Sequence, residues 1–165
     1  MVNRHKTPQE IIFLSFVEAN YSRTSTLLGF QSKNYVKSFK AISPKFQFMI
    51  RDLLILRGKI KRDAIVVIGS PSHKTTLFAR IVLKNKVVLD AGWPLSDGVI
   101  SRGLNTRTMP KFLKSLLIDF VSFHAAEKLL VESRAQAKRV HRFFLVPKRK
   151  IIVSLTGLNL SLIHI

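Results

Sequence analysis

Short apolar runs recur along this chain, and longer segments of mixed character separate them. The runs cover residues 11–17, 36–42, 63–69, 86–91, 127–131 and 150–155. A strand that is apolar on both faces is typical of a parallel sheet, because helices cover such a sheet on both sides. We therefore predict six strands at these positions, of which residues 11–17 and 63–69 are predicted to be buried.

The intervening segments have helical character. Helices are predicted at residues 21–30, 44–62, 73–84, 109–123 and 133–144. Ser43 and Pro44 are a favourable helix start, since serine caps a helix and proline suits its first position. Strands that alternate with helices predict an α/β, doubly wound, mostly parallel sheet with helices on both faces and right-handed crossovers. Ligands bind such sheets outside the carboxyl ends of the strands.

The net charge of the chain limits the choice of partners. It has 28 lysines and arginines against 9 acidic residues, a formal charge of +19 over 165 residues. This excess favours a polyanionic partner, which includes nucleic acid, anionic lipid headgroups and acidic substrates. The chain has no cysteine, so disulfides and cysteine-ligated metals are excluded. No apolar run approaches the roughly 18 residues needed to span a bilayer.

The loop after the first strand contains Tyr21, Ser22 and Arg23 and has no glycine between residues 18 and 23. A dinucleotide site needs glycines there so that the backbone can approach the pyrophosphate, and an NAD-type site is not expected. Arg23 is a candidate for gripping a phosphate or carboxylate group. An ordinary solvated arginine at a helix start explains it equally well.

The loop after the third strand runs from Gly69 and Ser70 to Thr75 and superficially has the form of a phosphate-binding loop. It departs from that motif because His73 replaces the second glycine and Pro71 removes a backbone donor. A nucleotide triphosphatase is therefore not predicted. The five histidines have no metal-ligand spacing, and no metal site is expected.

The loop after the fourth strand is the most distinctive part of the sequence. It contains Asp90, Asp97 and Trp93, the single tryptophan of the chain. Either aspartate could accept a hydrogen bond from a sugar hydroxyl, with the indole as a wall against an apolar face. The other interpretation is a structural turn in which Asp97 and Gly98 reverse the chain. We favour a site-lining role, and Ser133, which follows the fifth strand, is a further candidate.

Two basic stretches have more than one interpretation. Residues 44–62 are too apolar all round for an ordinary surface helix. They could lie on an anionic membrane, or pack on the sheet beneath another domain. Residues 134–142 give a basic helix face with few aromatics, which favours a solvated or membrane-facing helix over a nucleic-acid groove.

Three segments near the end of the chain resemble family-four (group 1) retaining glycosyltransferases. They are residues 132–139, 143–153 and 156–159, where a serine ends a strand, a helix follows, and a Pro-Lys-rich segment leads through a strand to Gly-x-Asn. Residues 86–90 are similar to the fourth strand of that family, and Tyr21–Arg23 is similar to the first loop of some members. The family's glycine-rich first loop is absent here.

The resemblance implies a GT-B architecture, in which two Rossmann-like domains face a cleft. Residues 1–159 would be the acceptor-side domain, while the domain that binds the donor and carries the usual acidic pair is not in this chain. By resemblance, residues 21–23 and 90–97 line the acceptor side, and the strand-end rule adds Gly69, Ser70 and Ser133. The catalytic residues are not assigned.

We therefore expect a glycosyltransferase that moves a sugar from a nucleotide-sugar donor to a lipid-linked or anionic acceptor at the cytoplasmic face of a membrane. No cofactor is expected in this chain, and nucleic acid is not the expected partner. Residues 160–165 look like a translated sequencing adapter, so the native sequence is expected to stop near Asn159 and the fragment to be inactive. The alternative is a non-catalytic basic α/β module that binds nucleic acid or anionic lipid.

Overall fold

The computed structural model describes residues 9–17, 29 and 35–154, and within them six strands form one open sheet. Every neighbouring pair of strands is parallel, which confirms the predicted α/β class. The order across the sheet is β2-β1-β3-β4-β5-β6. The strands are β1 (Gln9–Ser15), β2 (Tyr35–Ala41), β3 (Ile65–Ile68), β4 (Lys86–Gly92), β5 (Lys128–Val131) and β6 (Ile151–Val153).

Helices occupy most of the described connections. They are α1 (Phe46–Arg57), α2 (Thr75–Leu83), α3 (Leu95–Ile100), α4 (Met109–Ala125), α5 (Arg134–Phe143) and a 3-10 turn (Lys148–Lys150). Three details differ from the sequence prediction. The helix predicted to start at Ser43 and Pro44 begins at Phe46, with Lys45 as its N-cap and without a side-chain cap hydrogen bond. The same helix ends at Arg57 rather than at residue 62, with Gly58 as its C-cap. The short helix α3 occupies a segment that was predicted to be a loop.

The main hydrophobic core lies between one face of the sheet and the helices. From β2 onward, the described connections all run in the same direction across the sheet, and right-handed crossovers then put their helices on the same face. Their buried side chains accordingly belong to one cluster with alternate residues of the strands. Members of this cluster include Leu14, Val66, Ile68, Leu89, Leu129, Met49, Leu53, Ala79, Phe123 and Val140. The β1–β2 connection runs the opposite way and, apart from Gly29, lies outside the described residues.

Polar groups close the amino edge of the sheet. The Asn85 side-chain amide donates to the carbonyl groups of Lys61, Arg62 and Ala64. Lys150 Nζ donates to the carbonyl groups of His124 and Ala126 near the end of α4, at 2.9 Å each. These contacts fix the loops that enter the strands. None of the helices in the described ranges is long and apolar enough to cross a membrane.

Candidate functional site

Gly92 lies where three strand ends meet at the carboxyl edge of the sheet. Its φ is +50°, and a Cβ at this position would lie 3.4 Å from both Cβ and Oγ of Ser70. The same Cβ would lie 3.9 Å from Oε1 of Glu132. Glycine therefore fits here for two reasons, its backbone conformation and the close approach of its neighbours. The ends of β3, β4 and β5 thereby bring the polar side chains of Ser70 and Glu132 together.

A hydrogen bond joins the residues that follow β4 and β5. The indole Nε1 of Trp93 donates to Oε2 of Glu132 at 2.8 Å. This hydrogen bond fixes the position of the indole, and the ring stays accessible because it remains 60% exposed. An amphipathic ring held in this way can present a flat apolar wall to a ligand.

The start of α5 is held by reciprocal hydrogen bonds. Ser133 caps the helix, and its Oγ accepts from the backbone N–H of Gln136 at 3.1 Å. The side-chain Oε1 of Gln136 in turn accepts from the backbone N–H of Glu132 at 2.9 Å. This arrangement is a variant of the capping box, and it orients the turn that carries Glu132.

Between α3 and α5 is a shallow pocket of about 280 Å³, which we call the edge pocket. Its lining residues are Trp93, Asp97, Ser133, Ala135, Gln136 and Arg139. Oδ1 of Asp97 lies 2.7 Å from Nη2 of Arg139, with the aspartate largely buried and the arginine half exposed. Burial raises the pKa of Asp97, while Arg139 acts in the opposite direction. The pocket thus combines an aromatic wall, an amide and an ion pair.

Asp119 of α4 fixes the position of α3 beneath this pocket. Its buried carboxylate accepts hydrogen bonds from the backbone N–H groups of Leu95 and Ser96, at 3.0 and 2.8 Å. The Ser96 hydroxyl donates to the same group at 2.7 Å. An anion at a helix N-terminus satisfies N–H groups that have no partner within the helix. Asp119 therefore holds the segment that carries Trp93 and Asp97.

The polar side chains of the loop after β3 point into the protein. Ser72 and His73 are fully buried, and Ser72 Oγ accepts from the backbone N–H of Phe16 at 2.8 Å. Ser122 Oγ donates to the carbonyl oxygen of His73 at 2.8 Å. Desolvation lowers the pKa of His73, and the nearby Asp119 carboxylate partly offsets this effect. The loop connects the sheet to α4 and does not present these side chains to a phosphate group.

The structure places the predicted site residues in different environments. Trp93, Asp97 and Ser133 line the edge pocket, and Ser70 lies beside Gly92. Gly69 donates its N–H to the carbonyl oxygen of Leu14 at 2.8 Å, which is a structural role. Asp90 is buried within β4 and does not line the pocket. Tyr21, Ser22 and Arg23 lie outside the described residues.

Three residues at this edge were not singled out from the sequence, namely Glu132, Gln136 and Arg139. The strand-end rule could have found Glu132, because it directly follows β5. Gln136 was recognisable as the third residue of a capping box after Ser133. Arg139 had no such signal, since its ion pair with Asp97 joins two helices that are distant in the sequence.

Comparison with known proteins gives no family assignment. No protein-family model matches the sequence, and no curated protein is significantly similar to it.

Within the described ranges, no three histidine or acidic side chains are close enough together to hold a metal ion.

Proposed function

We propose that this chain forms the acceptor-binding domain of a glycosyltransferase that uses a nucleotide-sugar donor. One observation carries the proposal. The edge pocket lies at the carboxyl edge of a parallel sheet, and Trp93, which lines it, donates a hydrogen bond to Glu132. This edge is the usual ligand-binding side of such folds. The resemblance of residues 132–159 to family-four glycosyltransferases supports the same interpretation.

The chemistry of the pocket suits a sugar. The exposed indole of Trp93 can pack against the apolar face of a pyranose ring, as aromatic rings do in binding sites. The Gln136 amide and the Asp97–Arg139 pair supply polar groups for hydroxyls at the rim of the ring. Hydrogen bonds to charged groups are stronger than those between neutral groups, and the half-exposed guanidinium of Arg139 can donate to a sugar oxygen.

In this proposal the domain positions the acceptor, and a second domain binds the donor. Retaining transfer depends on orienting the acceptor hydroxyl towards the anomeric carbon and on stabilising the departing diphosphate. The groups that stabilise the diphosphate would belong to the donor domain, so this chain alone should bind acceptor without turnover. The net charge of +19 supports an acceptor attached to an anionic lipid at the cytoplasmic face of a membrane.

The single tryptophan provides a direct test. Trp93 lies in the edge pocket, so its fluorescence should report ligand binding there without a label. We expect a saturable change when the chain is titrated with a panel of monosaccharides, disaccharides and short-chain prenyl-phosphate sugars. The variant Gln136→Ala should weaken binding about fivefold or more, since it removes a polar contact worth about 1 kcal/mol. Gln47→Ala, an exposed glutamine on α1, is the matched control and should bind normally.

Two results would contradict the proposal. One is the absence of any fluorescence change across the whole sugar panel while the chain is folded by circular dichroism. The other is an equal loss of binding in Gln136→Ala and Gln47→Ala, because the edge pocket would then not be the site.

A second candidate is a non-catalytic module that binds a polyanion. A groove of about 670 Å³ between α5 and β6 is lined by basic side chains without a carboxylate among them. These side chains are Arg134, Lys138, His141, Arg142 and Lys148. Binding of single-stranded RNA that falls steeply with salt and is lost in Lys138→Gln, with no sugar binding, would favour this candidate.

A further inference from the structure

The outer surface of α1, α2 and α4 exposes many large apolar side chains. This surface, which we call the helix face, is the side of these helices turned away from the sheet. Leu117 of α4 is 64% exposed and Phe48 of α1 is 44% exposed. The exposed apolar residues of the three helices are Phe46, Phe48, Leu54, Ile55, Ile81, Met109, Leu113, Leu117 and Phe120. Extended apolar surface of this kind usually marks an interaction site.

The apolar side chains of the helix face form a continuous surface. Phe46 of α1 packs edge-to-face on Phe78 of α2, with ring centroids 5.2 Å apart. Phe78 and Leu117 then line opposite sides of an apolar groove of about 220 Å³ between α2 and α4. The apolar surface thus extends from α1 across α2 to the groove beside α4.

Positive charge surrounds this apolar surface, and the three helices have no exposed carboxylate. Their acidic residues are Asp52, which is half-buried and accepts from the Ser43 N–H, and Asp119, which is fully buried. The guanidinium of Arg51 lies 5.2 Å from the centre of the Phe48 ring. Further exposed cations on or beside the helices are Lys74, Lys111 and Lys114, while Arg80 pairs at 3.8 Å with the partly exposed carboxylate of Glu127, which follows α4.

We propose that the helix face docks on an anionic lipid surface. Apolar side chains would enter the boundary between headgroups and acyl chains, while the lysine and arginine side chains extend to the phosphates. Each cation near an anionic surface contributes favourably, so both properties of the face act together. The interleaving of Arg51 with Phe48, Leu54 and Ile55 on a single helix matches this partner.

Charge argues against a second copy of the chain as the occupant of this surface, and hydrogen bonding argues against nucleic acid. A second copy of the chain would bring two positive faces together, and like charges across an interface are unfavourable. Nucleic acid would satisfy the cations but would place its phosphates against Leu113 and Leu117, which offer them no hydrogen bonds. A lipid surface satisfies both kinds of side chain.

The purpose of this contact rests on the proposed function. A chain docked by its helix face would keep the edge pocket, which belongs to the same fold, close to the membrane. A lipid-linked acceptor could then reach Trp93 without leaving the membrane. The docking itself does not depend on that role and can be measured separately.

Vesicle co-sedimentation tests the docking surface. The chain should bind phosphatidylcholine vesicles that contain phosphatidylglycerol and should bind pure phosphatidylcholine vesicles far less. The double variant Phe48→Ser/Leu117→Ser keeps the net charge and should lower the partition coefficient about tenfold or more. Phe143→Ser/Leu145→Ser removes a phenylalanine and a leucine outside the helix face that are more exposed, at 58% and 73%, and this variant should bind as the unaltered chain does.

Three outcomes would overturn the proposal. The first is an equal loss of vesicle binding in the two double variants, and the second is no loss of binding in Phe48→Ser/Leu117→Ser. The third is no binding of the folded chain to anionic vesicles. A dimer that the Phe48→Ser/Leu117→Ser variant dissociates would instead identify a second copy as the occupant. Sugar binding by Trp93 fluorescence, measured without vesicles, reports separately on the proposed function. Either result can therefore fail while the other holds.

Discussion

Oδ2 of Asp119 accepts two hydrogen bonds from Ser96, one from its backbone N–H at 2.8 Å and one from its hydroxyl at 2.7 Å. With the N–H of Leu95 on the other oxygen, this buried carboxylate joins the middle of α4 to the start of α3. The position of the edge pocket therefore depends on a side chain that does not line it.

Removing this carboxylate should destabilise the fold. Asp119→Ala leaves two backbone donors and a hydroxyl buried without an acceptor, and we expect a loss of about 2–4 kcal/mol in the free energy of unfolding. Urea denaturation measures this loss in the free energy of unfolding. Asp52→Ala is the matched control, since Asp52 is half-buried and accepts one hydrogen bond of 3.2 Å; it should cost about 1 kcal/mol or less. Equal losses would show that Asp119 does not anchor α3.

Substitution of Gly92 should be costly for backbone and packing reasons. In Gly92→Ala the new Cβ meets Ser70 at 3.4 Å, and the residue must keep a φ of +50°. We expect a loss of about 1–3 kcal/mol by thermal or urea unfolding. Gly58→Ala is the control, because Gly58 has a φ of −73° and its Cβ would meet nothing closer than 3.7 Å. That change should be neutral or stabilise the chain by up to about 1 kcal/mol, and a reversed ranking would contradict this account.

The Trp93–Glu132 hydrogen bond should control the mobility of the indole more than the stability of the fold. In Glu132→Ala the ring loses its acceptor, so we expect lower steady-state anisotropy of Trp93 fluorescence and an emission shift to longer wavelength. The unfolding free energy should change by less than about 1 kcal/mol because the bond is exposed. Glu127→Ala, which breaks an exposed 3.8 Å ion pair with Arg80, should leave the anisotropy unchanged. Unaltered anisotropy in Glu132→Ala would count against a fixed indole.

The buried His73 should make stability fall in mild acid. Desolvation lowers its pKa in the folded protein, whereas the unfolded chain titrates near the ordinary value of about 6.5. As the pH falls below that value, the unfolded chain takes up a proton that the native chain does not, so the unfolding free energy decreases until the native pKa is reached. Urea denaturation at a series of pH values measures this slope, and His73→Gln should reduce it. An unchanged slope in the variant would assign the dependence to other groups.

The inner strands β1, β3, β4 and β5 could be predicted from the sequence because each contains a short buried apolar run, whereas β2 and β6, at the edges of the described sheet, are mostly half-buried or exposed. Val66, Ile68, Val87 and Leu89 lie in the core as the runs predicted. Helix α5 was also predictable, because Ser133 at the end of β5 is a strong N-cap, and its Oγ does accept from Gln136. In these places the local sequence agrees with the tertiary structure.

Helix α3 and its anchor could not be predicted in the same way. Six residues that include Gly98 and follow Pro94 are too few to show a helical period, and the sequence predicted a site-lining loop here, with a turn at Asp97 and Gly98 as the alternative. Asp119 has the appearance of an ordinary polar residue within a long helix. Its role depends on contact with a segment more than twenty residues away in the sequence. Neither helix propensity nor residue spacing within α4 indicates that contact.

The strand order has a consequence for how the chain assembles during synthesis. β1 emerges first and lies inside the described sheet, between β2 and β3. After β3 has paired with it, β4, β5 and β6 each add to the same growing edge in the order in which the ribosome releases them. No later strand has to separate two that are already joined, so vectorial folding from the N-terminus meets no topological barrier. The exposed growing edge moves outward with each addition, and among the described strands the last on this side is the three-residue β6; a strand this short is a poor template for unwanted pairing.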